Sequence, residues 1–148
     1  MLPKFHFIIS FTASFLMLIF GINPIFCLLF FLSAFLIDVD HYFYYVKEKN
    51  DLNLRNAYYY HKNYLVKELR RRNQKEVLMV FHTIEFFILL FVLSILFSFM
   101  LPVFLGSLFH EVTDLIYDLT LKEKKYKRAF SLIYYAIKNK EAYKNRSR

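Results

Sequence analysis

Long apolar stretches fill most of this chain and limit what it can fold into more than any other feature. They cover residues 5–20, 25–37, 77–101 and 103–119. Inside a lipid bilayer, every backbone polar group must be satisfied within the protein, which favours helices over loops or open strands. The pattern therefore predicts an all-α integral membrane protein with four transmembrane helices arranged as two hairpins.

The breaks between these stretches contain residues that end helices. Gly21, Asn23 and Pro24 separate the first two stretches, and Pro102 separates the last two. The residue before a proline is disfavoured in the helical region, so the Asn-Pro step predicts a tight turn. The arms of the first pair are short for a bilayer crossing of about 20 residues. The first two stretches therefore form either two thin spanning helices or a re-entrant helix pair.

The chain length leaves room for one domain. Of the 148 residues, 57% are hydrophobic, which fits a single membrane domain, 1–148, without a separate soluble core. We divide it into a helical hairpin at 5–45, a loop at 46–76, a second hairpin at 77–119 and a tail at 120–148. Cys27 is the only cysteine, so neither a disulfide framework nor a thiolate zinc site is available.

The distribution of charge predicts the orientation. The loop at 46–76 carries nine Lys or Arg against four acids, and the tail from residue 122 carries ten against two. The short turns at 21–24 and 101–102 carry none. By the positive-inside rule, the central loop and both termini are cytoplasmic, in a plasma (inner) membrane. The three acidic and His clusters described below then lie at the same, cytoplasmic, level.

The basic loop also contains aromatic residues, which raises nucleic-acid binding as an alternative. Residues 56–62 read Asn-Ala-Tyr-Tyr-Tyr-His-Lys, and residues 70–72 are three arginines. We favour membrane lipid as the partner, because a basic residue beside a membrane helix gains roughly 1 kcal/mol from anionic headgroups and aromatic residues settle at the interface. The tail after residue 126 alternates apolar and basic residues in a way that suits an amphipathic helix on the inner leaflet.

Three short groups of His and acidic residues interrupt the apolar stretches. A charged side chain costs roughly 2.5–3.5 kcal/mol at the centre of a membrane helix, so its presence there indicates function. On a helix, residues three or four apart share a face, which lets each group project toward a common interior. The candidate metal ligands are Asp38, Asp40, His41, His82, His110 and Asp114. Asp118 extends the last of these faces by one turn.

The residue types in these groups point to a particular chemistry. Mixed His and carboxylate ligands suit a divalent metal such as Zn, Mn or Fe, as one ion or two, better than calcium. A surplus carboxylate, Glu111 or Glu85, could then serve as general base in hydrolysis. His6 and His61 are left out of this set, as an interface residue and a loop residue.

A family resemblance follows from the order of the motifs. Asp-x-Asp ends an early apolar segment, His82-Thr83 heads a later helix, and His-x-x-x-Asp lies in the last one. This combination resembles the membrane-bound, metal-dependent hydrolases, also described as LexA-binding, inner-membrane-associated hydrolases. The resemblance implies five site residues, which are Asp38, Asp40, His82, His110 and Asp114.

The chain departs from that family pattern at one point. A His-Arg-Gly stretch often precedes the family's His-Thr pair, whereas here the corresponding positions are Val77, Leu78 and Met79. A ligand is then missing, or is replaced by His41 or Glu85, or the activity has been lost.

Together these observations predict a membrane-embedded hydrolase of an ester or phosphoester, with a lipid-linked substrate suggested by the depth of the site. Two alternatives that need no catalysis stay open. They are an ion or proton relay between the helices, and a membrane-anchored interaction module.

Overall fold

The computed structural model describes residues 3–65, 67–68, 76–120 and 127–146. Within these residues the chain is mostly helical, in agreement with the predicted all-α class. The seven α-helices in the described residues are α1 (Pro3–Ile19), α2 (Pro24–Leu36), α3 (Val39–Lys49), α4 (Leu54–Tyr59), α5 (Ile84–Leu96), α6 (Leu101–Thr120) and α7 (Leu132–Arg146). The arginines at 70–72, most of the first part of the tail (121–126) and the last two residues lie outside the described residues.

Two helical segments are long and apolar enough to cross a membrane. One is Pro24–Lys49, in which α2 continues into α3 over 26 residues, and the other is Ser98–Thr120, with 23 residues. By contrast, α1 has 17 residues and α5 has 13, which is short for a crossing of about 20. The structure therefore supports two candidate spans. It does not support four spans in two hairpins, because two of the predicted arms fall short.

The turn before α2 forms where the sequence predicts it. Asn23 caps α2, because its side-chain oxygen accepts hydrogen bonds from the backbone N–H groups of Ile25 and Phe26. Gly21 has φ of +81°, a conformation that glycine adopts without steric cost. Ser14 of α1 donates a hydrogen bond of 2.6 Å to the carbonyl of Cys27, which fixes α1 against α2.

Helices α2 and α6 approach very closely. Gly106 of α6 lies against the carbonyl of Phe30 and the hydroxyl of Ser33, both on α2. The absence of a Cβ atom lets the two backbones come together, as small residues do at membrane-helix contacts. One turn after Gly106, α6 carries His110, so this contact sets the distance from His110 to α2.

Over its described part, the predicted central loop contains regular secondary structure. After α3 it contains α4 and a turn of π-helix at Tyr60–Tyr64. A small core forms there, made of Tyr45, Ala57, Tyr60, Leu65, Val77 and Met79. Two short strands, β1 (Glu76–Val77) and β2 (Lys127–Arg128), pair in parallel and tie the tail to the end of this loop.

Candidate metal centre

The centre of the site is Asp38, at the junction between α2 and α3. Asp38 has φ of −69° and ψ of −1°, and α3 begins at the next residue. Its Oδ1 atom lies 3.2 Å from His41 Nε2, 3.4 Å from His110 Nε2 and 3.6 Å from His82 Nε2. Three imidazoles from three different elements therefore converge on one carboxylate oxygen.

The distances around Asp38 are similar to those expected between the ligands of a metal ion. With bonds of about 2.0–2.1 Å to a tetrahedral zinc ion, neighbouring ligand atoms are roughly 3.3–3.4 Å apart. The distances from Asp38 Oδ1 to the three Nε2 atoms, 3.2–3.6 Å, include this separation. Three sets of residues each have their ligand atoms within 4.8 Å of one another; His110 belongs to the first two sets and His82 to the last two. The sets are His6, His110 and Asp114; Asp38, His82 and His110; and Asp40, His41 and His82.

Two of these histidines are held with Nε2 pointing at Asp38. The Nδ1 atom of His82 lies 3.0 Å from Asp40 Oδ2, which also accepts a hydrogen bond from the backbone N–H of Phe81. The Nδ1 atom of His110 lies 2.8 Å from the carbonyl oxygen of Ala34. With Nδ1–H donating in each case, Nε2 carries the lone pair, as in histidines that bind metals.

The buried polar atoms test whether an ion fits here. His6, His82 and His110 are 1%, 6% and 0% exposed. Within the described part of the chain, the Nε2 atoms of His82 and His110 make no hydrogen bond, although buried polar atoms are nearly always hydrogen-bonded. A divalent ion beside Asp38 would satisfy both Nε2 atoms, so the residues present fit a metal.

The structure adds His6, which the sequence analysis left out. Its ring stacks on that of His110, with centroids 3.9 Å apart, and its Nε2 atom lies 3.0 Å from Asp114 Oδ1. His6, Ser10 and Ser14 are the buried residues of α1. Their spacing of four residues places a polar stripe on one face of an otherwise apolar helix. This stripe is the sequence pattern from which His6 could have been predicted as a site residue.

Asp114 and Glu111 lie at the edge of the cluster, on α6. Asp114 is 4% exposed and accepts a hydrogen bond of 2.8 Å from Arg128 Nη1. The Oε1 atom of Glu111 lies 3.5 Å from His82 Nε2, and the Glu111 side chain is 26% exposed. Of the predicted catalytic acids, Glu111 is thus the one beside the histidines and within reach of solvent.

Glu85, the other predicted catalytic acid, is not brought into the cluster. Its carboxylate accepts hydrogen bonds from the Ser131 hydroxyl and from the backbone N–H groups of Leu132 and Ile133. It therefore caps the first turn of α7, a common position for an acidic side chain. Asp118 is exposed, one turn beyond Asp114 on α6.

His61, also left out of the predicted set, lies beside His41. The two rings meet edge to face with centroids 5.1 Å apart, and His61 Nε2 lies 2.7 Å from the carbonyl oxygen of His41. Burial and the neighbouring His41 lower the pKa of His61 to about 4, so its ring is neutral at pH 7. A neutral ring donates this hydrogen bond through Nε2 and so helps to fix the backbone of His41. His61 lies on the π-helical turn, an element often found near functional sites.

The positions of the family's His-Arg-Gly stretch contribute no ligand. Val77 and Met79 are fully buried in the small core of the loop. Of the two substitutes that the sequence analysis considered, His41 lies at the cluster and Glu85 does not. Comparison with known proteins found no matching family model, no matching curated protein and no matching solved structure.

Proposed function

We propose that the chain is a membrane-embedded, metal-dependent hydrolase of the LexA-binding, inner-membrane-associated type, acting on an ester or phosphoester at the cytoplasmic face. The observation that carries this proposal is the convergence of three imidazole Nε2 atoms on Asp38 Oδ1, at distances of 3.2–3.6 Å. Two of the three histidines, His82 and His110, are buried with no hydrogen bond on the converging nitrogen, which suits an ion of the Zn, Mn or Fe kind.

The membrane part of this proposal includes all four apolar helices. The shorter helices α1 and α5 expose large apolar side chains, among them Phe15, Ile19, Phe91 and Ile95. Such surfaces are unfavourable in water and suit lipid tails. We infer that both helices enter the bilayer beside the two longer spans, with the basic loop and both termini in the cytoplasm. The cluster would then lie near the headgroups, where a lipid-linked ester is within reach.

Each residue of the site has a separate part in this chemistry. Asp38, His82 and His110 would hold an ion, with His41 beside Asp38, and His6 and Asp114 would form a second group of ligand atoms with His110. A bound divalent ion supplies Lewis acidity and a hydrolytic nucleophile at neutral pH. Glu111 accepts the proton of the attacking water and returns it to the leaving oxygen, because it lies 3.5 Å from His82 and is the most exposed acid of the cluster. Asp40 fixes the tautomer of His82.

A relay function is less well supported by the placement of the ionisable groups. Residues 24–37 of the first candidate span and residues 98–109 of the second contain no histidine, acidic or basic side chain that could relay a proton. A relay needs such groups across the bilayer, whereas an active site needs them at one level.

The metal content of the protein in detergent tests the proposal. We expect near-stoichiometric divalent metal in the wild type and its loss in Asp38→Ala and in His110→Ala. The matched control is Asp118→Ala, which removes an exposed acid from the same helix as His110 and should keep the metal. Glu111→Gln should keep the metal and lose hydrolysis of p-nitrophenyl esters and phosphoesters. A wild-type protein without metal after incubation with Zn or Mn would refute the proposal.

A further inference from the structure

The tail of the chain places an arginine at the edge of the metal cluster. The Nη1 atom of Arg128 donates to Asp114 Oδ2 at 2.8 Å and lies 3.5 Å from Glu111 Oε1. The Arg128 side chain is 20% exposed. Glu111, its neighbour, is the most exposed of the acids in the cluster. The solvent-facing side of the cluster thus carries a carboxylate and a guanidinium next to each other.

Backbone hydrogen bonds hold Arg128 in this position. Arg128 belongs to β2 and pairs with Val77 of β1, and the N–H of Ala129 donates to the Val77 carbonyl at 2.8 Å. The N–H of Ile84 donates to the carbonyl of Phe130 at 3.0 Å. The backbone around Arg128 is therefore tied to the segment that precedes α5. Because that segment also carries His82, the guanidinium and the metal ligands belong to one framework.

The chemistry of the guanidinium points to the ligand. Arginine is always charged, and its planar fork of N–H donors matches the oxygens of a phosphate in pairs. We propose that Arg128 binds the phosphate group of the substrate, which makes a phosphoester the substrate class of the site. This inference rests on the proposed function. It assigns phosphate recognition to the tail of the chain, and it makes Arg128 a binding residue beside the proposed base Glu111.

A purely structural role for Arg128 gives a different expectation. If Arg128 only neutralises Asp114, its removal weakens metal binding or stability and leaves any phosphate affinity of the metal-loaded protein unchanged. If Arg128 binds phosphate, its removal lowers phosphate affinity at full metal loading. Phosphate affinity measured together with metal content therefore separates the two roles.

The test uses the full chain in detergent, loaded with Mn²⁺ and titrated with inorganic phosphate. Bound manganese shortens the ³¹P relaxation time of phosphate that binds beside it, which reports binding without turnover. Metal content is measured on the same samples. The variants are Arg128→Gln and Arg128→Lys. The control is Arg55→Gln, which removes an arginine of α4 that lies over the ring of Tyr59, in the central loop.

We expect saturable phosphate binding in the wild type and in Arg55→Gln. Arg128→Gln should bind phosphate about 10- to 100-fold more weakly, the usual effect of losing hydrogen bonds to a charged group, with manganese content unchanged. Arg128→Lys should fall between them, because it keeps the charge without the fork. Short-chain phosphatidic acid and glycerol phosphate are then compared as competitors, and the tighter of the two identifies a headgroup or a soluble phosphoester as the source.

Several results would overturn the inference. Wild-type affinity in Arg128→Gln, or loss of its manganese, would assign Arg128 a structural role only. Absence of saturable phosphate binding in manganese-loaded wild type would remove the phosphate site and leave the metal site standing. If no manganese binds, the inference falls together with the proposed function. Should Arg128→Gln not fold, the comparison moves to Arg128→Lys, whose phosphate affinity must be lower than that of the wild type at full metal content.

Discussion

Replacing Gly106 by alanine should both destabilise the protein and empty the proposed metal site. A Cβ atom at this position would lie 2.1 Å from Ser33 Oγ and 2.3 Å from the carbonyl oxygen of Phe30. Ordinary van der Waals contact begins at 3.4 Å, so the backbone of α2 or of α6 must move by about 1 Å. A side-chain rotation of Ser33 relieves only the first contact, since the second is with backbone.

The size of the effect follows from three contributions. Overpacking of a tight contact costs about 1–3 kcal/mol, and a broken buried hydrogen bond costs about 1–3 kcal/mol more. The bond at risk is the one of 2.8 Å between His110 Nδ1 and the carbonyl of Ala34, one turn along the same helix contact. Alanine recovers about 1 kcal/mol in helix propensity. We therefore expect a net loss of roughly 1–5 kcal/mol in unfolding free energy.

The assay is thermal unfolding in detergent together with metal content, and the second glycine of the chain provides the control. Gly21 has positive φ but no atom within 4 Å of an added Cβ, so Gly21→Ala strains the backbone without crowding a neighbour. It should cost about 1–2 kcal/mol and leave the metal content unchanged. Adding Ser33→Ala to Gly106→Ala should rescue only part of the loss, because the Phe30 carbonyl remains. Wild-type stability and full metal content in Gly106→Ala would refute the reasoning.

Three further predictions concern the residues around the ion. Asp40→Asn should weaken metal binding about 10- to 100-fold without abolishing it, as loss of a residue that orients His82 does, and metal titration checks this. His6→Phe keeps a ring against His110 but removes both nitrogens, so we expect weaker metal binding at little cost in stability. The same titration measures the metal affinity, and thermal unfolding measures the stability. Glu85→Gln should leave metal content unchanged and speed hydrogen exchange at the start of α7, because the carboxylate caps that helix.

The parts of this fold that depend on local sequence could be predicted. The Asn-Pro step gives the capped start of α2, and the apolar stretches give the helices that follow them. The helix lengths could not be predicted in the same way. Apolar residues continue past Leu96, where α5 ends, and Phe97 takes an extended conformation. Composition does not distinguish an apolar helix from an apolar turn, so the predicted arm is longer than the observed helix.

The site was predictable where its ligands lie within apolar helices. A His-x-x-x-Asp pair in α6 is costly in a membrane unless it has a purpose, and the structure places His110 and Asp114 in the cluster. The roles of Glu85 and Arg128 depend on the tail returning to the start of α5. That return rests on backbone pairing between two-residue strands far apart in sequence, which leaves no periodic pattern to read.

Hydrogen bonds alone do not explain the cluster, because Asp38 Oδ1 cannot accept enough of them. Each carboxylate oxygen has two lone pairs and accepts about two hydrogen bonds, yet three imidazole nitrogens face Oδ1 of Asp38. With the Nδ1–H groups of His82 and His110 donating to Asp40 and Ala34, the Nε2 lone pairs of both rings would face this oxygen without a proton between them, buried and unsatisfied, at a cost of about 1–3 kcal/mol each. An ion removes this conflict, because the nitrogens and the carboxylate then bind the same centre and no proton is shared. The geometry that is unfavourable for a hydrogen-bonded cluster is thus the one that a metal requires.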